Sequence, residues 1–256
     1  MRKLFYLVPV AAGVGALIYS TYFTPESGRP FIVRAIAAHG GEANLARTRT
    51  GTFKGIGTKN DAHGFTSRIT WEETYQQPDR LRRVFQKAVQ GQVTTMTFLY
   101  RDGKAWMRID DEEPTVSETG LGSNESIACP LGHLLDLYRS KTALKPLGEK
   151  FVDGRFTMGV EVNFGPGVEA DSSDREKVEL YFDTNTHLLA MIRGRSTDAK
   201  GAELIRERIF SNYKTVDGIQ VPGSVQLYIN KQLMDELVVQ EARFLERIDD
   251  QVFEKP

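Results

Sequence analysis

Three Asp-Gly dipeptides constrain the fold of this chain more than any other feature. They occur at Asp102-Gly103, Asp153-Gly154 and Asp217-Gly218, each between two stretches in which apolar and polar residues alternate. Asp-Gly accepts the positive φ angles of a two-residue type I′ turn, so each dipeptide predicts a β-hairpin with a fixed register. Further turns are predicted at Asn185 and Asn230. Together these signals predict an antiparallel meander of about ten strands.

The hairpin around Asp217-Gly218 has the most readable register. Val216 is expected to lie opposite Ile219, and the second strand is predicted to continue without a break to Ile229. Most alternate side chains of that strand are apolar, so one face should be buried and the other polar. This alternation is typical of an antiparallel sheet with one face against a core.

The hairpin around Asp102-Gly103 predicts a second apolar face. Its register places three residues of the first strand opposite three residues of the second. The predicted pairs are Tyr100 with Ala105, Phe98 with Met107, and Met96 with Ile109. These six side chains are expected to form the core side of the hairpin, while Thr95, Thr97, Arg108 and Asp110 point the other way.

Two stretches interrupt the β pattern and predict helices. The first runs from Pro30 to Ala38 and ends at His39-Gly40-Gly41, because glycine accepts the left-handed conformation that follows a helix. The second runs from Ile127 to Tyr138. Its apolar face is predicted to consist of Leu131, Leu134, Leu135 and Tyr138. This face must cover an apolar surface of the sheet.

Charge and cysteine content exclude several functions. The 256 residues carry a formal net charge of −1, so the chain lacks the strongly basic balance typical of nucleic-acid-binding proteins. Cys129 is the single cysteine, which excludes an internal disulfide and a cysteine-based zinc site. We interpret it as a small buried side chain. No cofactor and no metal ion is predicted.

The N-terminal segment predicts delivery to the cell envelope. Leu4–Phe23 is uncharged, follows Arg2-Lys3, and has about the 20 residues that a helix needs to span a bilayer. Residues 1–23 are therefore predicted to be a signal anchor in the inner membrane, or a signal peptide if they are cleaved. Residues 24–29 are interpreted as a linker, and 30–256 as one domain on the periplasmic side.

The sequence contains no recognisable catalytic or metal signature. None of the histidines forms the spaced pair of a helical zinc site: His39, His63, His133 and His187. Glu72 and Glu73 are neighbours in a predicted strand, so their side chains point to opposite faces and cannot work as an acid–base pair. We therefore interpret the chain as non-enzymatic. An enzyme with a dispersed active site, acting on an envelope substrate, is kept as an alternative.

Four segments resemble those of the outer-membrane lipoprotein-sorting proteins, the LolA/LolB-like superfamily. They are the helix ending at His39-Gly40-Gly41 and the segments Tyr181–Leu189, Asn212–Pro222 and Ile248–Phe253. The resemblance covers about residues 30 to 256. It implies a mainly β (α+β) fold, in which a strongly curved antiparallel sheet forms an open half β-barrel with helices over its concave face. In that family the enclosed cavity holds acyl chains, or serves to sense lipoproteins or envelope stress.

This resemblance leads to a hypothesis about a hydrophobic ligand. An apolar hollow, which the protein's own side chains fill only in part, is expected between the sheet and a helical lid. The wall is predicted to consist of Trp71, Phe85, Met96, Phe98 and Met107. The lid is predicted to consist of Leu131, Leu134, Leu135 and Tyr138. The flexible Met side chains favour a surface that adapts to its ligand.

The expected partner is a lipid or an acylated protein, and the chain is expected to be a monomer attached to the membrane by its N-terminal helix. An uncleaved anchor would prevent the chain from shuttling between membranes. Two alternatives follow from the same sequence. One is an envelope stress-sensing or protein-interaction module on the same fold, and the other is the enzyme already mentioned.

Overall fold

The structure is a computed structural model that describes residues 27–60, 64–89, 91–116, 129–140, 142–163, 177–197 and 201–255. The predicted membrane segment Leu4–Phe23 lies outside these residues. Among the helices of the described part, none combines the length and the apolar character needed to cross a membrane.

The described residues form three α-helices, two 3₁₀ turns and fifteen strands. The helices are α1 (Arg29–Ala38), α2 (Glu42–Leu45) and α3 (Cys129–Arg139), and the 3₁₀ turns are Ala46–Arg49 and Asp250–Phe253. The first eight strands are β1 (Thr50–Asn60), β2 (Thr66–Gln76), β3 (Arg80–Val89), β4 (Gln92–Arg101), β5 (Lys104–Ile109), β6 (Thr115–Val116), β7 (Ala143–Val152) and β8 (Arg155–Asn163). The others are β9 (Lys177–Asp183), β10 (Leu189–Thr197), β11 (Glu203–Ser211), β12 (Lys214–Val216), β13 (Ile219–Val221), β14 (Ser224–Ile229) and β15 (Gln232–Phe244).

Thirteen of these strands form one antiparallel sheet. Its order is β6-β5-β4-β3-β2-β1-β15-β14-β11-β10-β9-β8-β7. The fold class is therefore mainly β, as predicted, with more strands than the sequence pattern indicated. β1 pairs with β15, so the first and last strands of the domain meet in the middle of the sheet. The sheet is open, with β6 and β7 at its two edges.

The turn predictions are confirmed. Asp102, Asp153, Asp217 and Asn230 have φ angles between 46° and 51°, as a type I′ turn requires at its first central position. The register of the hairpin between β4 and β5 is also confirmed. Its observed pairs are Tyr100 with Ala105, Phe98 with Met107, and Met96 with Ile109.

The predicted continuous strand from Ile219 to Ile229 is wrong. β13 ends at Val221 and pairs only with β12 in a separate two-stranded ribbon, whereas β14 pairs with β11 in the large sheet. The break falls at Pro222-Gly223. Proline cannot donate a ladder hydrogen bond, and a Cβ on Gly223 would lie 2.2 Å from the carbonyl oxygen of Asn212. The ribbon consequently turns inward, and Ile219 and Val221 are fully buried.

The sheet curves strongly around α1 and α3. At one end of α3, Gly132 lies against the side chain of Gln77, which directly follows β2. At the other end, the chain leads into β7, where the amide of Gly28 donates to the carbonyl of Leu144 over 2.8 Å. β2 and β7 are eight strand spacings apart, about 38 Å on a flat sheet. Since α3 has 11 residues and is about 16 Å long, a flat sheet is excluded.

Glycines in β1 make room for aromatic side chains on the inner face, which is the face that packs on the helices. Gly55 lies opposite Trp71 in the β1–β2 ladder, and the register of β1 against β15 shifts between Lys54 and Gly55. The Trp71 indole N–H donates to the carbonyl of Ile56 over 3.2 Å, so the ring lies across the β1 backbone. Glycine inside a strand commonly marks a bend or bulge of a curved sheet, and the register shift at Gly55 is such a bulge.

His39 closes α1 and is buried in the core. The ring faces Ala35 through Nδ1 at 2.8 Å, and the backbone N–H of Leu189 points at Nε2 from 3.5 Å. Because the backbone N–H of Leu189 can only donate, Nε2 of His39 must accept. Nδ1 therefore carries the proton and donates it to the carbonyl oxygen of Ala35. The rings of His39 and Tyr213 are in an edge-to-face contact, with their centroids 5.6 Å apart. Burial lowers the pKa of His39 to about 4, although the hydrogen bond to Ala35 acts in the opposite direction.

We predict that Gly55→Ala destabilises the domain. An added Cβ would lie 1.9 Å from the carbonyl oxygen of Val238 and 2.9 Å from Nε1 of Trp71. Urea denaturation should show a loss of about 2 kcal/mol or more in the free energy of unfolding. The matched control is Ile56→Val on the exposed face of the same strand, which should cost less than about 0.5 kcal/mol. Equal costs for the two variants would contradict the proposed packing of Trp71.

We predict that the domain loses stability as the pH falls from about 6.5 to 4. The unfolded chain takes up a proton on His39 near pH 6.5, whereas the folded chain resists protonation down to about pH 4. Protonation therefore favours the unfolded state, and the His39 contribution lost between pH 7 and pH 5 is about 2 kcal/mol. In urea titrations at the two pH values, His39→Gln should lose about 2 kcal/mol less than the unmodified chain. Identical losses would show that His39 is not the group responsible.

Candidate ligand-binding face

The five predicted wall residues lie in two adjacent cross-strand rows on the inner face of β2 to β5. In one row Trp71 lies opposite Phe85, and Phe85 lies opposite Met96. In the other row Phe98 lies opposite Met107. The rings of Phe85 and Phe98 connect the rows in an edge-to-face contact, with centroids 6.0 Å apart. The structure therefore brings all five side chains onto one continuous surface.

Burial on this surface decreases toward the β5 edge. Trp71 and Phe85 are only 3% and 4% exposed and belong to the main core. Met96 and Phe98 are half-buried and pack against that core, and Met107 is also half-buried. The apolar surface thus continues from the packed core onto a strip that remains partly open.

The α3 helix carries the predicted lid. Leu131, Leu134 and Leu135 are at most 2% exposed and belong to the same core cluster as Trp71 and Phe85. Their burial on the helix face was correctly predicted.

Tyr138 does not fit the predicted lid face, because its side chain is 41% exposed. It lies on the same side of the helix as Leu131 and Leu134, so the part of the last turn that carries Tyr138 extends beyond the packed core. Leu137, which the sequence analysis omitted, is buried instead.

Side chains of the helices pack against the inner face of the sheet. Phe31, Ile32, Ala35 and Ile36 of α1 form one cluster with the leucines of α3 and the inner face. Two cavities lie elsewhere in the described part of the chain. One of about 120 Å³ lies beside α1 and is lined by Phe31, Arg34, Met158, Phe182, Asp183, Thr184 and His187. Another, of about 340 Å³, lies on the outer face of β4 and β5. Neither of the two is lined by a predicted wall or lid residue, so the hollow expected between wall and lid stays a prediction.

The sequence analysis missed two ion pairs on the inner face. Glu73 is fully buried and lies opposite Arg83, whose Nε and Nη2 donate to one carboxylate oxygen over 2.9 and 2.6 Å. Lys59 Nζ lies 3.0 Å from the carboxylate of Asp235. Both cations also approach the ring of Phe85, at 5.4 Å for Lys59 and 5.9 Å for Arg83. The wall therefore contains two ion pairs in addition to its apolar side chains.

Strand alternation could have revealed the Glu73 pair. Glu73 lies between Trp71 and Tyr75 in the period-two pattern of β2, and Trp71 was predicted to belong to the wall. Glu72 points outward and pairs with Lys54 over 3.2 Å. The prediction that Glu72 and Glu73 lie on opposite faces is confirmed.

Polar contacts hold the C-terminal end of α3. Arg29 donates to the backbone carbonyls of Tyr138 and Ser140, and the Arg49 guanidinium pairs with Asp136. Arg139 pairs with Glu42 over 2.7 Å. These side chains are largely or partly exposed, so each ion pair contributes at most about 1 kcal/mol. The N-terminal half of the helix carries buried leucines and also His133, which interacts with the charges of Asp136, Arg208 and Arg49.

Within the seven described ranges, no group of three or more His, Cys, Asp or Glu side chains is placed to hold a metal ion. The two ion pairs of the inner face, Glu73 with Arg83 and Lys59 with Asp235, form no nucleophile–base arrangement of the kind that covalent catalysis requires.

Comparison with known proteins identifies related folds. No family model matches the chain, and no curated protein matches it in sequence. A domain assigned as an outer membrane lipoprotein-sorting protein from Vibrio parahaemolyticus superposes with a TM-score of 0.53 at 14% identity, covering 89% of this chain and 96% of that one.

Two other solved structures show the same likeness. A LolA superfamily protein from Nitrosomonas europaea has a TM-score of 0.53 at 11% identity, with 86% of this chain and 97% of that chain covered. A DUF1329 family protein from Desulfovibrio piger has a TM-score of 0.55 at 13% identity, with 88% and 96% covered. The chain therefore shares the fold of LolA superfamily and outer membrane lipoprotein-sorting proteins, as its sequence resemblance predicted.

Proposed function

We propose that this chain is a non-enzymatic protein of the bacterial envelope that binds the acyl chain of a lipid or lipoprotein on its inner face. The observation that carries the proposal is the strip formed by Met96, Phe98 and Met107, which extends the apolar core beyond the buried part of the sheet. A ligand would begin on this strip and continue toward Trp71 and Phe85 as α3 moves away. The shared fold supports an envelope lipid-binding role in general.

The exchange of α3 for a ligand is energetically feasible. Burial of a leucine side chain contributes about 2 kcal/mol, so the four buried leucines of α3 contribute about 8 kcal/mol to holding the helix. An acyl chain that buries about 14 methylene groups gains about 11 kcal/mol, at about 0.8 kcal/mol for each group. The two values are close enough that an acyl chain could displace the leucines, and that the helix could later expel the chain.

The contacts of α3 suggest what opposes its opening. Its C-terminal end is attached through Arg29, Arg49 and Arg139, and its buried leucines include Leu131, Leu134 and Leu135. An acyl chain would replace the contacts of the leucines, whereas the polar contacts would have to break before the helix lifts. This movement would uncover the wall next to the strip.

The location of the protein is part of the proposal. Residues 4–23 would hold the chain in the inner membrane, with the domain of residues 30–256 on the periplasmic side. In this arrangement the domain would receive or present acyl chains at the membrane surface, since an attached protein cannot carry them away. A mature N-terminus after residue 23 would instead indicate a soluble carrier.

We predict that Met107→Glu weakens the binding of a fluorescent fatty acid to the delipidated full-length chain. A carboxylate on the half-buried strip would have to lose its hydration when the acyl chain binds, so affinity should fall by about tenfold or more. Val93→Glu is the matched control, because Val93 is 60% exposed and β4 places it on the outer face. Delipidated protein that binds no fatty acid, or equal affinity of both variants, would contradict the proposal.

We also predict that Arg29→Ala accelerates fatty-acid uptake. The change removes the hydrogen bonds from Arg29 to the carbonyls of Tyr138 and Ser140. Loss of both bonds from this half-buried side chain should lower the barrier by about 1 kcal/mol in total, so stopped-flow uptake should become roughly threefold to tenfold faster. Arg34→Ala, an exposed position on the same helix, should leave the rate unchanged. Uptake that is equally fast in all three proteins would show that α3 does not limit entry.

A further inference from the structure

The outer face of β4 and β5 carries a second apolar cluster. Leu99, Ile248 and Phe253 form its buried part, and Trp106 and Val252 pack against it. The 3₁₀ turn Asp250–Phe253 brings the C-terminal segment back onto the sheet. The Arg101 guanidinium donates to the carbonyl of Phe253 over 3.5 Å.

This cluster forms the floor of a cavity of about 340 Å³, which is within the range of small-molecule sites. We call this cavity the outer pocket. Its apolar lining residues are Leu99, Trp106 and Phe253, and its basic lining residues are Arg101, Lys104 and Lys255. Leu99 and Trp106 lie directly opposite each other in the β4–β5 register. They alternate with Phe98 and Met107, so the outer pocket is on the other side of the sheet from the proposed acyl site.

The outer pocket has an excess of positive charge. Among the described residues, Asp102 is the one acidic side chain that lines it, and this carboxylate pairs with Arg101 over 3.1 Å. Lys104 and Lys255 are exposed and form no ion pair with other residues of the described part of the chain. Lys104 and Lys255 therefore lie at the edge of the apolar surface of the pocket without an ion-pair partner in the described part of the chain.

We propose that the outer pocket binds a small amphiphilic anion, in which a phosphate or carboxylate group is attached to an apolar body. The anionic group would lie between the exposed Lys104 and Lys255. There it would lose little of its hydration and would still be attracted by both positive charges. The apolar body would lie over Trp106 and Leu99. Two sources have this chemistry, a soluble aromatic phosphate or carboxylate and the headgroup end of an anionic phospholipid. The proposal is independent of acyl binding on the inner face.

Titration calorimetry on the full-length chain tests the outer pocket with two probes. The probe 1-naphthyl phosphate represents the soluble source, and monomeric dihexanoyl phosphatidylglycerol represents the lipid headgroup. At least one of them should bind, and Lys104→Glu should weaken that binding by about tenfold. Lys145→Glu is the matched control, because Lys145 is also exposed and lies on β7 at the opposite edge of the sheet. It should leave the affinity unchanged.

The outcomes separate the two sources and allow the proposal to fail. Tighter binding of naphthyl phosphate assigns the pocket to a soluble anion, and tighter binding of the phospholipid assigns it to a headgroup. Absence of binding by both probes overturns the proposal. Binding that Lys104→Glu and Lys145→Glu weaken equally, or not at all, also overturns it. Neither result bears on the inner face, which Met107→Glu tests separately.

Discussion

Burial of the apolar inner face of the sheet against α1 and α3 is the interaction on which the rest of the structure depends. A thirteen-stranded antiparallel sheet with one apolar face needs a cover, and a flat sheet of that width would be too wide for two short helices. Curvature solves this problem, because it brings β2 and β7 within the length of α3. The glycines of β1 and the bulge at Gly55 permit that curvature beneath the ring of Trp71.

The helices cover the sheet incompletely, and this incompleteness suggests a function. At the β4–β5 end, Met96, Phe98 and Met107 remain half-buried, although Met96 continues the cross-strand row of Trp71 and Phe85 and the other two lie in the adjacent row. Among the described residues, the leucines of α3 cover the inner face beneath that helix. An acyl chain bound there and the helix would compete for one surface. The buried pair of Glu73 and Arg83 lies within that surface, where separating the two charges would cost about 3–5 kcal/mol.

Sequence patterns predicted the local structure well and the long-range arrangement only in part. Asp102-Gly103 was sufficient to pair Phe98 with Met107, because a two-residue turn fixes the register of both strands. The break at Pro222-Gly223 was missed because the apolar alternation continues across it, while the backbone changes from one sheet to another. Tyr138 was misplaced because helical periodicity determines which side a residue occupies, but not where the packed core ends. The outer pocket depends on residues from β4 and from the C-terminal segment, which are far apart in sequence.

Hydrogen exchange of the delipidated full-length chain, with and without palmitate, tests the central claim most directly. If an acyl chain replaces the leucines of α3, the amides of Cys129–Arg139 should exchange faster when palmitate is bound, while those of β4 and β5 keep or increase their protection. If α3 keeps its protection when palmitate is bound, or palmitate changes no amide on the inner face, the claim that ligand and lid compete for one surface is contradicted.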